Sequence, residues 1–157
     1  MLTAMSIDTR IDELGLEIPP PFPPAGTYVP AVRTGNLLFL AGHIPIGADQ
    51  QVVLGKLGDD LDLEAGRHAA RLAALSALAT LRDELGSLDR VQQIVSLRGV
   101  VNATPDFAGH TQVIDGASDV FVDVFGERGK HARLAVGVGS LPVNLALEIE
   151  LVAEIAD

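Results

Sequence analysis

Cysteine and tryptophan are absent from this 157-residue chain, and tyrosine occurs once, at Tyr28. The missing thiols exclude disulfides, cysteine nucleophiles and thiolate metal sites, and leave the redox compartment open. So few aromatics give no stacking platform for single-stranded nucleic acid. Positive charge is scarce too: 11 Lys and Arg face 21 Asp and Glu, a formal net charge of −10. A surface that tracks a phosphate backbone needs the reverse balance, so no nucleic-acid partner is expected. Apolar runs are broken by Arg, Glu, Gly or Pro before they reach the roughly 18–20 residues of a membrane span. Met1 to Gly15 lacks the apolar centre of a signal peptide. The expectation is a cytoplasmic protein with no membrane partner. His68, His110 and His131 show no paired spacing of the metal-ligand kind, and no metal is expected. Gly137-Val138-Gly139 runs on to Leu141-Pro142 rather than into a helix, so it is no phosphate loop. Ser140 has no His/Asp framework and reads as a turn residue.

What is present is apolar. Hydrophobic residues make up 48% of the chain, enough for one domain with a real core and a surplus for an interface between copies. Residues 1–25 read as an arm: an acidic lead with room for one helical turn, then Pro19-Pro20-Pro21-Phe22-Pro23-Pro24. That run is stiff and extended and cannot join a central strand. It either lies on the surface or covers the rim of a pocket with Phe22 pointing inward.

The domain spans 26–157. Tyr28 to Arg33 and Asn36 to Gly42 flank Thr34-Gly35-Asn36 and predict a hairpin. Leu37 to Leu40 are apolar at every position, as in a strand covered on both sides. Glu64 to Leu85 predicts a helix, capped by Asp62 and ended by Gly86. A strand follows over 91–101. Thr104-Pro105-Asp106 predicts the start of a second helix, with Phe107, Ile114, Ala117 and Phe121 on its buried stripe and Gly126 at its end. Strands at about 132–138 and 144–153 finish the chain. The order β-β-α-β-α-β-β gives an α/β (α+β) fold whose two helices cover one face of a five-strand mixed sheet. Alternation puts Glu148 and Glu150 on the face of the last strand opposite Leu147 and Ile149. Arg133, Ala135 and Gly137 are assigned to that same uncovered face, as are Ile94, Ser96, Arg98 and Val100. Closing such faces around a common centre would leave polar groups lining pockets between copies.

Arg133, Glu148 and Glu150 are the charges on otherwise apolar strands, and such charges must be paired, wet or used on a ligand. Arg133 is a planar fork suited to a carboxylate. It can equally form an internal ion pair with Glu148 or Glu150. Glu148 can relay a proton, whereas Glu150 reads as a solvated or structural carboxylate. Tyr28 suits either a pocket wall or a half-buried strand position. His43 suits either a ligand contact or a turn, and Asp115 a solvated helix face.

Tyr28-Val29, Gly35-Asn36-Leu37-Leu38-Phe39-Leu40-Ala41-Gly42-His43-Ile44-Pro45, Leu85-Gly86-Ser87-Leu88, Pro105-Asp106-Phe107 and the ending Ala132-Arg133, Leu141-Pro142, Leu147-Glu148-Ile149-Glu150 together resemble the RidA/YjgF family of reactive-intermediate deaminases, over about residues 26–153. The resemblance implies a chorismate-mutase-like fold and a homotrimer with pockets between subunits. It also implies cofactor-free hydrolysis of enamine and imine intermediates such as 2-aminoacrylate. Arg133 would hold the substrate carboxylate, and Glu148 would stand by the attacking water. Tyr28 and the backbone near Gly42 and Ala135 would complete the pocket, with His43 beside them. The chain departs from the family's active members at Ala41 and His43, where Ser and Gln are usual, and at Ala135, where Cys is common. The alternative reading is a trimer of the same fold that binds a small carboxylate without turnover.

Overall fold

Asp62 and Gly86 bracket the longest element, α2 (Leu63–Leu85). In the computed structural model, which describes residues 4–157, the Asp62 carboxylate accepts the Ala65 amide at 2.8 Å. Gly86 closes the helix in the left-handed region, at φ 75°, where a side chain would be strained. Between these caps Ala69, Ala70, Ala73, Ala74 and Ala77 are all buried. Small side chains let α2 lie close to its neighbours.

The sheet is built from β1 (Ala31–Thr34), β2 (Leu37–His43), β3 (Val91–Asn102), β4 (Ala132–Val138) and β5 (Leu147–Ile155). Their order is β1-β2-β5-β3-β4. All pairs are antiparallel except β3 with β4, which are joined through α3 (His110–Phe125), since parallel neighbours need a crossover. Leu38, Leu40, Leu97, Val101, Leu147, Ile149 and Leu151 are buried beneath α2 and α3 as one core. Burying each such side chain stabilises the fold by about 1.5–3 kcal/mol, so one face of every strand is firmly specified.

The chain departs from the sequence reading in several places, each with a local cause. The lead is a two-turn helix, α1 (Ile7–Glu13), because Ile7 and Ile11 fall on one face and enter the core. Its Ile7 amide donates to the Asp89 carboxylate at 2.8 Å. The second long helix starts at His110 rather than at Thr104. The Thr104 amide is taken by the Leu57 carbonyl, and Thr104 to Phe107 close a turn instead. The last strand begins three residues late, because Pro142–Asn144 form a 3-10 turn with Val143 and Asn144 at positive φ.

The faces were also misassigned on β3 and β4. A bulge between Ile94 and Ser96 puts Ile94 in the core and leaves Ser96 and Arg98 on the open side. The parallel register sets Leu97 beside Arg133 and Gly99 beside Ala135, so Arg133 and Ala135 belong to the helix-facing side. β2 is covered on one side only: Phe39 is 43% exposed, beside Val32.

The α2–α3 contact is tightest at Gly116, where a Cβ would run into the Arg67 carbonyl. Gly116→Ala is therefore expected to force the helices apart and to destabilise the protein by about 1–3 kcal/mol. Urea denaturation measures this, and an unchanged midpoint would refute the close packing.

Candidate functional site

The proline arm roofs a cavity of about 270 Å³. Phe22, Pro23 and Pro24 of the arm and Pro142, Val143 and Leu145 line it, together with Tyr28, Gly42, His43, Ser76 and Glu148 among others. The arm borders the pocket, and Phe22 lines its rim while remaining 40% exposed. The Tyr28 hydroxyl accepts the Ala25 amide at 3.1 Å, tying the ring to the end of the arm.

Glu148 lies where β5 passes β2. Its carboxylate rests against Gly42, where a Cβ would come within 2.5 Å of Oε2. A side chain there would push the carboxylate out of this position. Among the described residues Glu148 has no ion-pair partner, and burial pushes its pKa above the usual carboxylate value. It also borders a shallow depression on the open sheet face with Arg98, Val100 and Glu150.

His43 is built into the structure around this cavity. Its Nδ1 donates to the Ala41 carbonyl at 2.6 Å, which leaves Nε2 to accept from the Thr80 hydroxyl at 2.7 Å. Burial lowers its pKa, so the ring is neutral at physiological pH. One helical turn before Thr80, the Ser76 hydroxyl is buried beneath the cavity lining with no hydrogen-bond partner among the described residues.

Arg133 stands elsewhere. On edge strand β4 it points toward α3, where Nη1 donates to the Asp115 carboxylate at 2.6 Å and to the Ser118 hydroxyl at 3.1 Å. Nη2 reaches the Thr111 carbonyl at 3.4 Å. The Arg133 side chain remains 20% exposed, and Nε has no partner among the described residues. The Ser118 hydroxyl also meets His131 Nε2 at 2.9 Å, while burial lowers the His131 pKa. Asp115 is therefore no idle solvated carboxylate but the anchor of the arginine. The internal pairing of Arg133 with Glu148 or Glu150 does not occur, because β3 separates β4 from β5. Glu150 pairs with Arg98 at 2.8 Å instead.

The six residues singled out from the sequence thus form two groups within one chain. Tyr28, Gly42, His43 and Glu148 gather at the cavity, and Arg133 and Ala135 lie apart on edge strand β4, beyond β3. Sequence reasoning missed Ser76 and the Asp115–Ser118 anchor. Ser76 and Thr80 were legible as two hydroxyls four apart in an apolar helix. The anchor had no such signal, because it depends on how α3 lies across β4. Among the described residues no three His, Asp or Glu side chains converge as metal ligands do, and no helix is long and apolar enough to cross a membrane.

A family model described as "YjgF/chorismate_mutase-like, putative endoribonuclease" matches residues 8–155. Protein TCP17 of Trypanosoma cruzi is 37% identical over 95% of this chain and 94% of its own length. The RutC family protein PH0854 of Pyrococcus horikoshii is 32% identical over 83% of this chain and 88% of its own. The crystal structure of "a putative endoribonuclease" from Shewanella oneidensis superposes with a TM-score of 0.93 at 34% identity, covering 96% of this chain and all of that one.

The buried imidazole predicts a pH dependence. The His43 pKa is lowered on folding, so below the unfolded value of 6.5 the unfolded chain binds more protons and stability is lost as the pH is lowered. His43→Gln, which cannot titrate, is expected to lose less stability than the wild type between about pH 7.5 and about pH 5. Thermal melts across that range compare the two, and parallel losses would remove His43 as a source.

Proposed function

The chain belongs to the YjgF/chorismate-mutase-like (RidA) family, and on that footing we propose that it hydrolyses 2-imino acids and their enamine tautomers, of the 2-aminoacrylate type, to 2-oxo acids and ammonia. The observation that carries this reading is Glu148: an unpaired, half-buried carboxyl of raised proton affinity at the edge of a largely apolar cavity. Raised proton affinity makes the carboxyl a better proton acceptor than an ordinary surface carboxylate, and its exposed half lets it return the proton.

The reaction balances with this one residue as relay. The enamine takes a proton from solvent at its terminal carbon and becomes the iminium ion. Water adds its oxygen to the C2 carbon and gives one proton to Glu148, forming a neutral carbinolamine. Glu148 returns that proton to nitrogen; the hydroxyl oxygen then forms the C=O bond as the C–N bond breaks, and the hydroxyl proton passes to the departing ammonia, which leaves as ammonium beside the 2-oxo acid. Imines hydrolyse readily in water, so the protein's part is chiefly to orient substrate and water.

Holding the substrate carboxylate falls to Arg133. Within one chain it cannot reach the Glu148 cavity, so the reading requires two copies, with the β4 edge of one against the cavity mouth of the next. The exposed Val32, Phe39, Leu134 and Val136 on the open side supply apolar surface for such an assembly, and a homotrimer is the form proposed. Nε and the remaining Nη2 hydrogen of Arg133 are the donors left for a carboxylate. The net charge of −10 disfavours RNA as the substrate.

A second reading is favoured by two observations: both ring nitrogens of His43 are occupied, and Asp115 already neutralises Arg133. In it the pocket binds a small carboxylate without turnover.

In a coupled assay that generates 2-aminoacrylate, Arg133→Ala is expected to lower kcat/KM by about 10- to 100-fold and Glu148→Gln by about 100-fold. Glu148→Gln should also abolish an acidic limb lying above the ordinary carboxylate range. Mixed oligomers refolded from the two inactive variants should regain activity, since some pockets then hold both native groups. An imine lifetime unaffected by wild-type protein refutes the catalytic reading, and a thermal shift with 2-oxo acids under those conditions would establish the binding one.

A further inference from the structure

The proposed reaction gives His131 no task, yet one shared hydroxyl joins it to Arg133. It stands two residues before the arginine, where the chain returns from α3 to β4. Three contacts fix its ring. Nδ1 meets the Gly129 carbonyl at 2.6 Å and Nε2 meets the Ser118 hydroxyl at 2.9 Å. The Phe121 ring lies edge-on, at 88° with centroids 6.2 Å apart. Gly129 is itself pressed on α3, since a Cβ there would run into the Phe121 carbonyl. The helix that carries Asp115 and Ser118 therefore also fixes the carbonyl that orients the imidazole.

Every hydrogen in this chain of contacts has a determined direction. A carbonyl oxygen only accepts, so Nδ1 carries the ring hydrogen and donates it to Gly129. Burial lowers the His131 pKa, the Gly129 carbonyl opposes that, and the Arg133 charge adds to the lowering. In the neutral ring Nε2 only accepts, so the Ser118 hydroxyl directs its single hydrogen to the imidazole. Its lone pairs are left for Arg133 Nη1, 3.1 Å away.

The consequence falls on the arginine. Asp115 and Ser118 take both hydrogens of Nη1, and the Thr111 carbonyl takes one from Nη2. What remains is the edge formed by Nε–H and the other Nη2 hydrogen, which matches the two oxygens of a carboxylate. Without an acceptor at His131, the Ser118 hydrogen would be free to turn toward Nη1. Donor would then face donor, and Asp115 alone would hold that end of the guanidinium.

We propose that His131, acting through Ser118, is a positioning residue for Arg133: with its hydrogen on Nδ1 it orients the serine, so that the guanidinium presents its Nε–Nη2 edge to the carboxylate of a 2-imino or 2-oxo acid. This role rests on the reading of Arg133 as the carboxylate holder. It does not need turnover.

The test uses the full chain and pyruvate, the 2-oxo acid that 2-aminoacrylate would yield. Affinity is read by NMR titration, and imine turnover by the coupled assay. His131→Phe keeps a ring against Phe121 and removes the acceptor, Ser118→Ala removes the hydroxyl, and Ser118→Thr retains it. His131→Phe and Ser118→Ala are each expected to weaken pyruvate binding about three- to tenfold. The double variant should bind no worse than either, because both changes break one link. Ser118→Thr should bind as the wild type does, which separates the hydroxyl's role from helix packing if His131→Phe melts early. In turnover the loss should fall on KM and leave kcat nearly level, as for a contact made alike in ground and transition states. Nitrogen-15 spectra should find the His131 hydrogen on Nδ1, and pyruvate should shift the Arg133 Nε–H signal. A hydrogen on Nε2, additive losses in the double variant, or unchanged affinity in both single variants while Arg133→Ala abolishes binding overturns the positioning role and leaves Arg133 as the carboxylate holder. Pyruvate binding that survives Arg133→Ala, or is absent from the wild type, overturns both. Pyruvate binding with the expected variant pattern but no imine turnover overturns the deaminase reading and supports the positioning role.

Discussion

Everything at the cavity depends on the alternation of β5 in the middle of the sheet. Leu147, Ile149 and Leu151 are driven under the helices, and that commits Glu148 and Glu150 to the opposite side. A slip of one residue would put both carboxylates into the core and three large apolar side chains into the open. Carboxylates in that core would be desolvated without partners, so the hydrophobic term that builds the fold also places Glu148 beside the cavity. Glu148 is only half-buried at its position, which raises its proton affinity and still leaves it reachable.

The two charged groups are handled in opposite ways. Glu148 faces an apolar wall with no partner among the described residues, and its charge is disfavoured. Arg133 is permanently charged and lies on the helix-facing side, where an unpaired guanidinium would be costly. Asp115, Ser118 and the Thr111 carbonyl meet that need from a single helix, α3. They also fix the plane of the guanidinium. The cost is a weaker field for an incoming anion, so a carboxylate would be held by directed hydrogen bonds rather than by net charge.

Most of the fold was legible because its signals are local. Asp62 and Gly86 cap α2 as their residue types require, Gly35-Asn36 turns β1 into β2, and β5 alternates cleanly. The resemblance carried by the Arg133 and Glu148 segments agrees with the family that the comparisons show. What failed was non-local. Thr104-Pro105 has the residues of a helix start, yet the backbone pairing of Thr104 with Leu57 holds it in a turn. Strict alternation through β3 put Ile94 and Ser96 on one face, because a bulge has no reliable sequence mark. The face of Arg133 depended on the register between β3 and β4, which no residue of β4 encodes alone. The same holds for the site: Tyr28, Gly42, His43 and Glu148 converge, but whether they meet Arg133 is a question about copies of the chain.

The separation of Arg133 from the Glu148 cavity goes with an open sheet face between them. β1 and β4 are the sheet edges, with unpaired backbone groups that proteins generally cover or protect. The open side carries Val32, Phe39, Leu134 and Val136, with Arg98 and Glu150 paired among them. Apolar residues around an ion pair already satisfied within the chain suit burial against another copy, since no lone charge would need desolvating. A pocket completed in that way would be rigid where Asp115 and His43 anchor it and adjustable where the proline arm roofs it. The arm is held by the bond from Ala25 to Tyr28 at one end and by the buried Ile7 and Ile11 at the other. Between those points the proline run bonds to nothing in the sheet, so its residues can vary the cavity wall without disturbing the strand alternation that positions Glu148.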